Sequence, residues 1–264
     1  MKIYAVVNQK GGVGKTTSVI NVGAFLAGNG HRVLIVDMDP QSNATSGLGF
    51  EKTEVQRSTY DLLMREARFE DVVVEHEQPG LWLLPASPDL SGAEVELVSE
   101  MAREYRLKRA LEAADGRFDY VLIDCPPSLS LLTINALTAA RSGVLIPVQC
   151  EYLALEGLTQ LMQTLDMVRR HLNEGLQIRG MIMTMYDGRT NLSRQVVEEV
   201  REHFSGKVFR TIIPRNVRLS EAPSYGQPIN VYAPSSPGAV AYRVLTAELL
   251  KGDGVPQKAK ERKP

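Results

Sequence analysis

Residues 10 to 17 read Lys10-Gly11-Gly12-Val13-Gly14-Lys15-Thr16-Thr17, directly after the apolar run Ile3-Tyr4-Ala5-Val6-Val7. Apolar run, glycine turn, then Lys-Thr at the head of an amphipathic stretch is the strand–loop–helix order of a phosphate-binding loop. Gly11, Gly12, Val13 and Gly14 supply the backbone of the cradle. The glycines turn tightly and aim N–H groups inward where a β-carbon would obstruct a phosphate. The helix that follows adds the partial positive charge of its N-terminus. In such a loop Lys15 reaches the β- and γ-phosphates, the Thr16 hydroxyl coordinates Mg²⁺ and Thr17 donates to the α-phosphate. One position departs from the common pattern G-x-x-x-x-G-K-[ST]. Gln9 stands where it has glycine, and a second lysine, Lys10, opens the glycine run. Two ammonium groups are therefore offered to one polyphosphate, where one serves an ordinary cradle.

Outward from this loop, short β-branched runs alternate with longer helical patterns. Strands are expected at Ile3–Val7, Val33–Asp37, Leu81–Pro85, Tyr120–Asp124, Val144–Val148, Ile178–Met185 and Val208–Ile213, and helices near residues 15–28, 90–114, 128–140, 156–173 and 191–204. Several strands are apolar almost throughout, as in sheets covered on both faces. The alternation predicts a doubly wound, mostly parallel α/β sheet with helices on both faces, its ligand at the carboxyl edge of the strands. In the first helix Val19, Val22 and Leu26 fall on one face, and Gly28-Asn29-Gly30 supplies left-handed residues to stop it. No linker or internal repeat interrupts residues 1–250, which are expected to form a single domain. The stretch Lys251 to Pro264 has five basic and two acidic residues without apolar periodicity. It is expected to be a disordered basic tail.

The totals set limits on function. Of 264 residues, 44% are hydrophobic and 23% charged, and the net charge of −1 gives no global field toward nucleic acid or membrane. Any polyanion must meet a local patch. Residues 51–112 carry 14 acidic and 8 basic side chains, whereas residues 169–218 carry 10 basic and 5 acidic. The later half thus offers a basic region for a polyanion or, equally, a solvated helix surface. The two cysteines, Cys125 and Cys150, form neither a disulfide framework nor a metal-spaced cluster, as befits a reducing cytosol. The chain enters a strand within two residues, with no signal-peptide pattern and no run long enough to span a bilayer. The expectation is a soluble cytoplasmic protein.

Three carboxylates stand at strand ends. Asp37 and Asp39 close the second strand in Asp37-Met38-Asp39-Pro40-Gln41. Asp39, past the strand, is the better candidate to position an attacking water. Asp37 is expected to support the loop or the Mg²⁺ shell, or to cap a turn. Tyr120-Val121-Leu122-Ile123 ends in Asp124, the second acidic motif of phosphate-loop enzymes, which is expected to hold Mg²⁺ through a water.

Taken in order, Lys10–Thr17, Val36–Gln41, Ile123–Pro127 and the segment Ile213-Pro214-Arg215-Asn216-Val217-Arg218-Leu219-Ser220-Glu221-Ala222-Pro223-Ser224 closely resemble the ParA/MinD group of deviant Walker-A ATPases, nearest the chromosomal ParA, or Soj, branch. The resemblance spans Met1 to about Leu250. It implies a P-loop NTPase fold and a slow, Mg²⁺-dependent ATPase with Lys10, Lys15 and Asp39 as its catalytic set. It implies that Lys10 crosses a dimer interface to the partner's nucleotide, so that ATP joins a homodimer and hydrolysis weakens it. Gly12 would let the two backbones approach, and Pro214 and Asn216 would cup the adenine. Members of this branch bind double-stranded DNA without sequence preference as the ATP dimer, and a ParB-like partner stimulates hydrolysis. Arg189 and Arg218, with Arg215 as a third position, match the basic positions implied, and nucleoid association follows. The chain opens on its first strand without a helix-turn-helix segment, so operator binding is not expected. Its final residues, Lys258 to Pro264, lack the bulky apolar side chains of a membrane-inserting helix. That argues against membrane anchoring, so no membrane partner is expected, and a MinD-like membrane-positioning ATPase stands as the alternative reading. A nitrogenase iron-protein relative would need an intersubunit cluster, which Cys125 and Cys150 do not fit.

Overall fold

The computed structural model describes residues 1–151 and 156–255. The chain opens with β1 (Lys2–Val6), and the phosphate loop leads into α1 (Lys15–Gly28). Then come β2 (Val33–Asp37), α2 (Asn43–Gly47), α3 (Thr59–Met64), α4 (Phe69–Val72), β3 (Val74–Glu75), β4 (Leu81–Leu84), α5 (Leu90–Glu96), α6 (Arg106–Ala110) and β5 (Tyr120–Asp124). The second half runs through α7 (Leu131–Ala139), β6 (Val144–Gln149), α8 (Glu156–His171), β7 (Ile178–Tyr186), α9 (Asn191–His203) and β8 (Val208–Pro214). It closes with α10 (Val217–Glu221), α11 (Ile229–Tyr232) and α12 (Pro237–Gly252).

The strands form one sheet in the order β3-β4-β2-β5-β1-β6-β7-β8. All neighbours are parallel except the short edge strand β3, which runs antiparallel to β4. Strand alternation divides the core between the two faces. Ile3, Ala5, Leu34, Val36, Val121 and Ile123 join one buried cluster with residues of α7, α8 and α9. Tyr4, Val6, Val33, Ile35, Tyr120 and Leu122 join the other with residues of α1 and α12. Both faces are covered, which is why these strands read as unbroken apolar runs.

The register sets the site. Val6 of β1 and Asp37 of β2 both stand opposite Asp124 of β5. The loops after these three adjacent strands therefore emerge side by side at the carboxyl edge.

Three expectations change. The stretch 90–114 is not one helix. Ala102 adopts a left-handed conformation (φ 52), and the break lets Leu97 before it and Leu107 and Leu111 after it all reach the same core. Helix α12 was not expected, although its signal is present. Ser236 caps it by accepting from the Ala239 amide (3.2 Å), Pro237 opens it, and Ala239, Tyr242, Leu245 and Leu249 bury one stripe. The tail expected from Lys251 does not begin there. The helix continues to Gly252, and the Asp253 carboxylate, 2% exposed, pairs with Arg179 (3.0 Å) and accepts from the Tyr4 (2.7 Å) and Tyr120 (3.2 Å) hydroxyls. Three partners for one buried charge hold residues 251–253 against the sheet. Residues 256–264, the rest of that expectation, lie outside the described residues.

Candidate nucleotide site

The loop after β1 is held from both sides. Asn8 donates from Nδ2 to the Pro147 carbonyl (2.7 Å) and accepts from the Lys10 amide (3.0 Å). Thr184 of β7 donates its hydroxyl to the Val13 carbonyl (2.8 Å). Between these anchors Gly12 (φ 71) and Gly14 (φ 89) take left-handed conformations that a β-branched residue would strain. Gly14 is also the N-cap of α1, and no side chain bonds to the first turn there. The free N–H groups of a 14-residue helix thus face the loop, an anion site by construction. Asn8 and Thr184 were not anticipated. Neither lies within a phosphate-loop signature, and Thr184 comes from a strand more than 160 residues away, as its bond across |i−j| = 171 records.

The two lysines of the loop sit in different environments. Lys15 is buried at 6% exposure, with its ammonium donating to the Lys10 carbonyl (3.2 Å). Burial pulls its pKa down, and the charges of Asp124 and Asp39 oppose that shift. Lys10 stands on the rim, its side chain 37% exposed and its ammonium 4.0 Å from Glu151. Thr16 and Thr17 are half-buried at the start of α1.

Three carboxylates cluster at the strand ends, and two of them, Asp39 and Asp124, act on the Lys15 ammonium. Asp37 is fully buried and both its oxygens bond the loop that follows it: Oδ1 accepts from the Asp39 amide (3.1 Å), and Oδ2 from the Thr45 amide (2.8 Å) and side-chain hydroxyl (2.7 Å). Its role in the structure is support of the loop. Asp39, 6% exposed, holds the Gln41 amide through Oδ1 (2.9 Å). Asp124 is fully buried, and neither of its oxygens has a well-formed hydrogen bond among the described residues. Burial raises its pKa strongly and the nearby Asp37 charge raises it further, while the Thr16 hydroxyl and Lys15 offset part of the rise. Burial likewise raises that of Asp37. An orphaned carboxylate beside the Thr16 hydroxyl is the donor set a magnesium ion takes when phosphates and water complete its shell. The chemistry of these residues therefore fits Mg²⁺.

The other expected positions line the same edge further along the sheet. Pro214 ends β8 opposite Tyr186, and the Arg215 amide bonds to the Tyr186 carbonyl (2.9 Å). Asn216 is the N-cap of α10 but makes no side-chain capping bond, and its buried Oδ1 has no hydrogen-bond partner among the described residues. Each arginine has a surface carboxylate. Arg189, 87% exposed, grips Asp187 through Nε (2.9 Å) and a terminal nitrogen (2.7 Å) and holds that carboxyl well below the usual range. Arg218 pairs with Glu221 (2.8 Å), and Arg215 with Glu151 (3.1 Å). Since β7 and β8 are neighbours, all three arginines follow adjacent strands on one edge. Cys125 and Cys150 are free and buried, with burial raising both thiols. A large open groove of about 1110 Å³ lies elsewhere, between β8 and α12 around Arg179, Phe209 and Glu248. It holds no part of the phosphate loop.

A sequence model of a family described as an AAA domain matches residues 1–178. The chain is 58% identical over 248 residues to the sporulation initiation inhibitor protein Soj of Bacillus subtilis, covering 94% of this chain and 98% of that protein. It belongs to the Soj/ParA family. The chromosome partitioning protein ParA of Caulobacter vibrioides is another relative, 53% identical over 95% of this chain and 94% of its own length. Among solved structures, a cobyrinic acid a,c-diamide synthase from Mycobacterium smegmatis with bound ADP and magnesium superposes with a TM-score of 0.85 at 39% identity, covering 98% of this chain and 99% of that one. Soj/ParA relatives are named as chromosome-partitioning ATPases, and the eight-stranded, mostly parallel sheet here is the expected P-loop fold. No helix among the described residues is long and apolar enough to cross a membrane.

Proposed function

We propose that this chain is a Mg²⁺-dependent ATPase that partitions DNA, with ATP joining two protomers into a dimer that grips the duplex. The observation that carries the reading is the separation of the two lysines. Lys15 is buried under its own loop, while Lys10 stands on the rim with its ammonium toward solvent and Glu151. A buried lysine serves the nucleotide of its own subunit. A rim lysine adds stabilisation where a second nucleotide faces it across an interface. Gly12 supports this, since it is exposed and a β-carbon there would meet no atom of its own subunit within 4 Å.

In this reading the α1 amides, Lys15 and Thr17 bind the triphosphate, and Pro214 and the Asn216 side chain, whose Oδ1 is without a partner among the described residues, receive the adenine. Thr16 and Asp124 would hold Mg²⁺, which when bound would supply neutralisation of phosphate charge. Asp39, carried on a loop tied to β2, orients the attacking water, and Lys10 and Lys15 stabilise the charge that develops during transfer. Hydrolysis removes the group that joins the subunits. The dimer then separates, and a ParB-like partner accelerates that step. Arg189, Arg215 and Arg218 release their carboxylates and take duplex phosphates, giving binding without sequence preference that weakens with salt. The protein works in the cytoplasm on the nucleoid.

The test is retention on DNA with ATP, with ADP, and with ATP at raised salt. ATP-dependent, salt-sensitive retention is expected, and equal retention with both nucleotides overturns the switch. Flotation with anionic vesicles is expected to recover no protein.

A further inference from the structure

Asp39 is only as well aimed as the loop that carries it, and that loop is pinned at one buried threonine. Thr45 lies in α2 at zero exposure. Its amide (2.8 Å) and hydroxyl (2.7 Å) both donate to Oδ2 of Asp37, whose Oδ1 takes the Asp39 amide (3.1 Å). One carboxylate therefore holds both ends of the segment 39–45. The same Thr45 hydroxyl accepts from the Ala86 amide (3.0 Å), just past β4. The loop is thereby tied to the carboxyl ends of two adjacent strands, β2 and β4. The helix N-cap, Ser42, is left-handed (φ 52) and contributes no side-chain cap. Asp37 acts in its place, bonding the third amide of α2.

We propose that Thr45 is a positioning residue for the hydrolytic step: its hydroxyl, donating to Asp37 and accepting from Ala86, holds the loop in the one conformation that presents Asp39. The inference rests on the reading of Asp39 as the water-positioning group. A hydroxyl is needed because the site requires a donor and an acceptor on one atom. An isosteric methyl fills the space and leaves both Asp37 and the Ala86 amide short of a partner. Charge-assisted bonds of this kind, out of water, order a segment more firmly than neutral ones. Thr45 touches neither phosphate nor Mg²⁺ in the proposed site, so its loss should act on turnover and leave nucleotide affinity alone.

The experiment compares the full-length protein with Thr45→Val and Thr45→Ser. Steady-state ATP hydrolysis, affinity for Mg-ATP and amide hydrogen exchange over residues 38–47 without nucleotide are read for each. Thr45→Val should lower kcat roughly 10- to 100-fold, the scale on which misplacing a catalytic group by about 1 Å acts. Its Kd for Mg-ATP should stay within about threefold, and its loop amides should exchange at least about tenfold faster, a local opening of the segment. Thr45→Ser keeps the hydroxyl and should restore kcat and protection to within about threefold of wild type. If Thr45→Val does not fold, Thr45→Ala takes its place with the same expected ordering against Thr45→Ser. Unchanged kcat in Thr45→Val, equal losses of kcat and affinity, or a serine variant as poor as valine would each overturn the proposal. Should the wild-type protein show no ATP hydrolysis, the ATPase reading fails by itself. The exchange measurement then decides the pin, and wild-type protection in Thr45→Val refutes it.

Discussion

Asp124→Asn should make the nucleotide-free protein more stable while removing its response to magnesium. Asp124 is fully buried and has no well-formed hydrogen bond, and the Asp37 charge is close enough to raise its pKa further. An unpaired buried polar group costs about 1–3 kcal/mol. Asparagine removes the charge and brings two donors to neighbouring carboxylates, so a gain of similar size is expected. In a chain of this length about 1 kcal/mol moves Tm by roughly 2–4 °C, which places the expected rise at about 2–12 °C near pH 7.5. The pH dependence follows from the direction of the shift. A carboxyl whose folded pKa is raised is neutral in the fold while still ionised in the unfolded chain. Its penalty is absent below the unfolded value of about 4, grows as pH rises, and is complete above the raised folded value. The variant's advantage should accordingly fade as pH drops from 7.5 toward 4. Differential scanning fluorimetry from pH 4.5 to 8, with and without Mg-nucleotide, measures both effects. A ligand at about 100 times its Kd stabilises by about 2.7 kcal/mol. The magnesium-dependent part of that shift should be present in wild type and missing from the variant. A variant less stable than wild type at pH 7.5, or one with an intact magnesium response, would refute the assignment of Asp124.

Three further outcomes separate the remaining roles. Asp39→Ala should bind ATP and dimerise yet hydrolyse at least about 100-fold more slowly, leaving DNA binding locked on; normal turnover in this variant would remove Asp39 from the mechanism. Gly12→Val should keep ATP affinity within about 30-fold, the most that about 1–2 kcal/mol for a side chain at positive φ would cost, but sediment as a monomer at ATP concentrations that dimerise the parent. Arg189→Glu or Arg218→Glu should keep the ATP dimer, weaken DNA retention, and flatten its salt dependence by roughly one phosphate contact per subunit; unaltered retention by both would place the duplex on another surface.

The phosphate loop, the strand ends and the parallel alternation were legible because each is a local pattern. An apolar run sandwiched between two helix layers looks the same in sequence as in the sheet, and glycines at positive φ declare a turn. Asp124 was placed by its four apolar predecessors. What escaped depends on distance in the chain. Thr184 reaches Val13 from β7, and Thr45 meets Asp37 only because α2 folds back over β2. No spacing rule joins such pairs. Helix α12 is a different case, since Ser236-Pro237 and the stripe from Ala239 to Leu249 were readable in the sequence. The basic residues after it drew attention to the tail, whereas Asp253, two residues beyond Lys251, is bound by an arginine and two tyrosines remote in sequence. The arginines were named from the family resemblance, and their carboxylate partners Asp187, Glu221 and Glu151 were not anticipated.

The reach of Lys10 beyond its own subunit is best tested by mass in solution, using light scattering on the Asp39→Ala protein so that ATP persists. Saturating Mg-ATP should double the mass of that parent. Adding Lys10→Ala should leave ATP bound through Lys15 and the mass at that of one chain. A parent that stays a single chain with ATP, or a Lys10→Ala protein that doubles just as readily, would contradict a lysine shared across two subunits.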